Sequence, residues 1–195
     1  MNLRRALVLL VVLVALLLGA VLFVDLTLMG SETTTEAGTG TSQLGNATAP
    51  LEEPLTIVVL GEGPLTDGLA ESLEAELGTR FPSVNTSTNA SQNVDGPVLA
   101  VRVTDRAVDY NPFVPSARVT AEFAFVGSGN ATFATALTTG SQLVVTNEEP
   151  YVVHGDLTLT DRSRGLATRP GYYRHLRETL AGTLSEEVLS APGME

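Results

Sequence analysis

Residues Ala6 to Val24 read ALVLLVVLVALLLGAVLFV, nineteen in a row without a charged or polar side chain. No other feature limits the fold as strongly. As a helix rising about 1.5 Å per residue, the run would be roughly 28 Å long, which matches the hydrocarbon core of a bilayer. Arg4 and Arg5 precede it and Asp25 follows it. Positive flanks stay in the cytoplasm, so residues 1–30 are expected to be a cytoplasmic tip and a single-pass transmembrane helix. The rest of the chain would then face outward from the cell membrane. A cleaved signal peptide is the rival reading. Its apolar core normally runs about 7–15 residues and ends in a small-x-small site. Here the run is longer, and Leu18 fills the first small position of Leu18-Gly19-Ala20.

The chain has no cysteine, which excludes disulfides, thiol chemistry and a lipid-modified cysteine. After Gly30 there are 21 acidic residues and 9 arginines, a net charge of −12, with no lysine anywhere. Such a surface repels itself at low salt, and near 1 M salt, where the Debye length is about 3 Å, that repulsion is largely screened. An acidic surface stripped of lysine resembles the surface proteins of halophilic archaea, a resemblance of composition and not of motif. Nucleic acid is not an expected partner, because phosphate binding needs clustered cations.

Ser31 to Pro54 is rich in Thr, Gly and acid and lacks apolar periodicity. Residues 31–54 therefore read as a disordered stalk, with an end-to-end distance of roughly 27 Å. Four glycosylation sequons follow the apolar run, at Asn46, Asn85, Asn89 and Asn130.

The folded part is expected over 55–190, with 191–195 as a flexible tail. Leu55–Leu60 is a short apolar, β-branched run, read as a buried strand. Leu69, Leu73 and Leu77 recur every fourth residue among glutamates, an amphipathic helix stopped near Gly78. A polar loop, SVNTSTNASQNVDGP, comes next. From Val98 the period becomes two: Leu99, Val101 and Val103, then Val119, Ala121, Phe123 and Phe125. Phe133, Thr135 and Leu137 read as the start of a return strand, and Leu143-Val144-Val145 as a further short run. Tyr151 to Thr160 alternates again, followed by an arginine-bearing loop to Arg169. Pro170 opens a last helix with Tyr172, Leu176, Leu180, Leu184 and Val188 on one stripe. The expected fold is α+β, in the order β-α-β-β-β-β-α, an antiparallel or mixed sheet covered by two helices. This order resembles the lipopolysaccharide-assembly lipoprotein and the amino-terminal domain of TolB. It is a likeness of element order alone, which implies fold and not function.

Chemistry is sparse. Asp109-Tyr110-Asn111-Pro112 is turn sequence between two strands, and its aromatic residues Tyr110 and Phe113 are of a type that anchors interfaces. Gly61-Glu62-Gly63 follows a strand, but Thr66 stands where a dinucleotide turn needs its third glycine, and Pro64 removes an amide donor. His154 and Asp156 share one strand face. With Asp161 they form the basis of an alternative reading as a metal-assisted cell-surface hydrolase. His175 reads as a surface residue of the last helix. Arg162, Arg164 and Arg169 cluster in an otherwise acidic domain, where they would pair with carboxylates or receive an anionic glycan, lipid headgroup or acidic envelope protein.

No cofactor motif, nucleophile elbow, HExxH or paired-cysteine site is present. The expectation is a membrane-anchored extracellular binding or assembly module without catalysis, with Tyr110, Phe113, Arg162, Arg164 and Arg169 as its candidate contact residues. The charge balance also predicts that the thermal midpoint rises as potassium chloride is raised from about 0.1 to about 1 M. A midpoint that stays flat or falls would remove self-repulsion from this account.

Overall fold

The computed structural model describes residues 10–14, 16, 27–43, 47–87, 94–140 and 151–194. Within the apolar run, residues 10–14 and 16 are helical and exposed. Among the described residues no helix is long and apolar enough to cross a membrane. The remainder of the anchor reading lies outside them, as do Asn46, Asn89 and the Leu143-Val144-Val145 run.

Six strands form one mixed sheet: β1 (Thr27–Gln43), β2 (Leu55–Leu60), β3 (Val84–Ser87), β4 (Val98–Asp109), β5 (Ser116–Val126) and β6 (Tyr151–Ala167). The described helices of the folded part are α1 (Leu69–Leu77), α2 (Ala131–Thr138) and α3 (Arg169–Leu189). The strands lie in the order β1-β6-β5-β4-β2-β3. Pairing is antiparallel from β1 through β4, while β2 runs parallel to both β4 and β3. The class is α+β, but the order among the described residues is β-β-α-β-β-β-α-β-α.

One face of the sheet carries the main core. Leu55, Ile57, Leu99, Val101, Val119, Ala121, Phe123, Phe125, Val153, Leu157 and Leu159 meet Leu69, Leu73 and Leu77 of α1 and Tyr172, Leu176, Leu180, Leu184 and Val188 of α3. Both helical stripes are buried as their spacing requires. Phe81 closes the end of α1 against Phe125, with ring centroids 6.3 Å apart. The α3 helix starts on Thr168, whose Oγ1 accepts the Gly171 amide at 3.2 Å, and Pro170 occupies the first turn.

Four segments differ from expectation. Ser31 to Pro54 is not a structureless stalk: most of it belongs to β1, paired with β6 residue by residue from Thr27 opposite Ala167 to Gln43 opposite Tyr151. Its alternation is threonine against glutamate and glycine, so no apolar pattern announces it. Yet threonine is β-branched and suits a strand, and β1 covers an edge that β6 would otherwise leave open. Second, Phe133, Thr135 and Leu137 lie in α2, not in a strand. The side chain of Asn130 caps that helix by accepting the Phe133 amide at 3.0 Å, and Phe133 and Leu137 are spaced for a helix face. Third, the arginine loop is strand: β6 continues to Ala167 and carries Arg162 and Arg164. In addition, residues 84–87 of the polar loop form the edge strand β3 beside β2.

Among the described residues, the second face of the sheet is covered at one end only. There α2 packs Ala131 and Ala134 on Val58, Val98, Ala100, Val126 and Val152. The rest of that face is mostly polar, with Leu28 and Leu166 at its far end.

Candidate functional site

Two polar features stand out, one on each face. The open face follows from strand parity, since residues two apart share a face. From the register, one row holds Glu32, Arg162, Ser116 and Asp109 across β1, β6, β5 and β4. The next holds Thr34, Thr160, Arg118 and Ala107, and the next Glu36, Thr158, Thr120 and Asp105. Beyond them come Gly38, Asp156, Glu122 and Arg102, then Gly40, His154, Ala124 and Ala100. Thr120 and Thr158 hydroxyls are 3.3 Å apart. Arg118, Arg162 and Arg164 are exposed. A shallow groove of about 630 Å³ runs beside Glu32, Ser116, Arg162 and Arg164.

His154 and Asp156 lie over β1 in space that two glycines leave. A Cβ on Gly40 would come within 3.2 Å of the His154 ring, and one on Gly38 within 3.1 Å of the Asp156 carboxylate. On β6 itself, a Cβ at Gly155 would collide with the Gly38 carbonyl. The long β1–β6 ribbon thus needs small residues where the two backbones approach.

The inner feature centres on Asp161, which is fully buried. Thr33 Oγ1 donates to Oδ1 at 3.0 Å, and His175 Nε2 lies 3.1 Å from the same oxygen. Ser163 Oγ and Tyr172 OH each donate to Oδ2 at 2.8 Å. Burial works against ionisation of Asp161, but the bonds from His175, Ser163, Tyr172 and Thr33 outweigh it and hold the carboxyl below its ordinary value. An ionised carboxylate only accepts, so Nε2 of His175 carries the proton. Burial, and then the bond to Asp161, pushes the Tyr172 phenol far above its usual value. The cluster ties β1, β6 and α3 together at one point. It also consumes its own donors, since Ser163 donates its hydroxyl to the carboxylate.

The structure separates the residues of the hydrolase reading. Positions 156 and 161 differ by an odd number, so Asp161 faces the core while His154 and Asp156 face the open side. Among the described residues, no group of three His, Cys, Asp or Glu side chains could hold a metal ion. His175, expected at the surface, is half-buried against Asp161. It lies one helical turn beyond Tyr172, a position from which both side chains reach the same strand.

The other candidate residues divide. Tyr110 turns inward and donates to the Ala167 carbonyl at 2.8 Å, and burial pushes its phenol up against the opposing pull of Arg169. Phe113 turns outward with 65% of its surface exposed. Asn111 Oδ1 accepts the Phe113 and Val114 amides, which fixes the tip. Arg162 and Arg164 share the open face, whereas Arg169 starts α3 and lies 5.9 Å over the Tyr173 ring. Asn85 is exposed on β3, and Asn130 is half-buried at the α2 cap. Gly61 and Gly63 both take positive φ, 116° and 110°, in the turn from β2 toward α1, where the Arg106 guanidinium binds the Glu62 carbonyl at 2.6 Å.

No family model matches the chain, and no curated protein does. Among solved structures it is similar to the PelC dodecamer from Paraburkholderia phytofirmans. A single-residue variant of that protein is 14% identical, with 82% of this chain and 100% of that chain covered and a TM-score of 0.39. The PelC dodecamer in another crystal form is 17% identical over 80% and 96%, with a TM-score of 0.34. Lipoprotein GNA1162 from Neisseria meningitidis is 14% identical over 68% and 99%, with a TM-score of 0.35. Likeness this weak carries no argument about what the chain binds.

The inner cluster generates a stability prediction. Asp161→Ala leaves the fully buried Tyr172 hydroxyl without its acceptor, at a cost of about 1–3 kcal/mol for each buried partner left unpaired. Because the folded carboxyl titrates below its unfolded value near 3.9, its contribution is complete above about pH 4 and is lost as pH falls through the folded value. Denaturant titrations of the wild type and Asp161→Ala should therefore differ most near neutral pH and converge in acid. Equal stability at neutral pH would contradict the role given to Asp161.

Proposed function

We propose that this chain is a single-pass membrane-anchored module whose folded domain lies outside the cytoplasm and binds a partner without catalysing a reaction. The observation that carries the reading is the polar face of β1, β6, β5 and β4, where, among the described residues, Arg118, Arg162 and Arg164 stand exposed beside a shallow groove. A flat, hydroxyl-rich face with a few cations suits contact with an extended anionic surface, such as an acidic envelope protein, a glycan or lipid headgroups. The dispersal of His154, Asp156 and Asp161 over two faces argues against the hydrolase reading.

The anchor rests on the nineteen-residue apolar run and its arginine flank. The lysine-free acidic surface fits work in strong salt, as in a halophilic archaeon. Asn85 stands on an exposed edge strand, as a glycan acceptor would need.

The test is chemical crosslinking in intact cells in native salt, with a tag at the C-terminus. The full chain should capture a reproducible partner, and the double variant Arg162→Glu, Arg164→Glu should lose most of it. Capture that ignores both substitutions would move the binding surface elsewhere. Turnover of a substrate that depends on His154 in a folded variant would sink the non-catalytic reading.

A further inference from the structure

Outside the apolar run, the large hydrophobic residues exposed among the described residues are three: Leu28 at 66%, Phe113 at 65% and Val114 at 56%. They come from two distant parts of the sequence, yet the fold puts them at one end of the sheet. Thr27 starts β1 opposite Ala167, and Leu28 stands opposite Leu166. On the other side of β6, the segment before β5 runs beside the same residues: the Gly165 amide donates to the Phe113 carbonyl and the Ala167 amide to the Pro112 carbonyl, each at 2.9 Å. Leu28 and Phe113 therefore flank β6 at two strand spacings, about 10 Å apart. Arg162 and Arg164 are exposed near the end of the same strand, with Glu32 opposite Arg162.

This end of the domain is also where the chain arrives from its apolar run. Val24 closes that run and Thr27 is already in β1. Three residues span at most about 11 Å. With residues 31–43 built into the sheet, no stalk remains to lift the domain away.

We infer that this end of the domain rests on the bilayer, with Leu28, Phe113 and Val114 entering the lipid interface and Arg162 and Arg164 reaching anionic headgroups. The inference rests on the anchored reading above and names the lipid surface as one partner of the exposed arginines. Apolar side chains rimmed by cations are the composition that interfacial contact requires. The rest of the domain is acidic, so an anionic membrane repels it and favours this end for the approach. Contact here tilts the sheet toward the membrane normal and leaves the rows from Thr34 to His154 free for a second partner.

The chain contains no tryptophan, so a single one introduced at the tip reports without background. The full-length Phe113→Trp protein is reconstituted in vesicles of phosphatidylcholine and phosphatidylglycerol, with and without bromine on the acyl chains. Thr79→Trp, exposed after α1 at the opposite end, serves as the distal control. The expected result is blue-shifted emission from position 113 that brominated lipid quenches strongly, water-like unquenched emission from position 79, and loss of quenching when Arg162→Glu and Arg164→Glu are added to Phe113→Trp. Water-like emission from position 113 in a chain that resists alkaline extraction overturns the docking and leaves the anchor standing. Blue-shifted emission that bromine does not quench also overturns it, since protein then covers the tip. Release of the chain by alkaline extraction overturns the anchored reading itself, and the docking with it.

Discussion

The ladder between β1 and β6 joins seventeen residues of one strand to seventeen of the other, and most of the remaining structure depends on it. β6 is flanked on its other side by β5, so without β1 a long row of backbone donors and acceptors would stand open along its edge. β1 also supplies Thr33, one of the four side chains that satisfy the buried Asp161. Farther along, Thr39 donates to Glu187 of α3 at 2.9 Å. The strand is thereby fastened to the helix as well as to the sheet.

That pairing divides the molecule by polarity. One face of the sheet is closed by α1 and α3, and the Asp161 carboxylate it buries is fully bonded within the protein. A carboxylate held in this way is a structural joint, because its hydrogen-bonding capacity is spent on β1, β6 and α3. Among the described residues, the opposite face keeps its charges and hydroxyls in solvent except where α2 covers it.

Apolar periodicity made much of this legible. The stripes of α1 and α3, the buried β2 and the alternation along β4, β5 and the first part of β6 all announce themselves because the core face needs hydrophobic side chains. β1 does not, because most of its residues lie exposed and its partner contributes the apolar surface. Its threonines were the available signal. For α2, the apolar pair Phe133 and Leu137 fits either period, and the cap at Asn130 decided for a helix. The split of His154 and Asp156 from Asp161 could have been read by counting parity along the strand. The joining of Asp161 to Tyr172 and His175 could not, since it depends on how α3 crosses back over β6.

Amide hydrogen exchange over Thr27–Gln43 in the full chain tests the central claim most directly. In an antiparallel edge strand alternate amides point toward the partner, so every second amide of β1 should exchange slowly, at rates approaching those of β5 and β6. Exchange throughout 27–43 as fast as in an unstructured peptide, with β5 and β6 still protected, would contradict the account. The segment would then be a tether, and the domain would begin near Leu55.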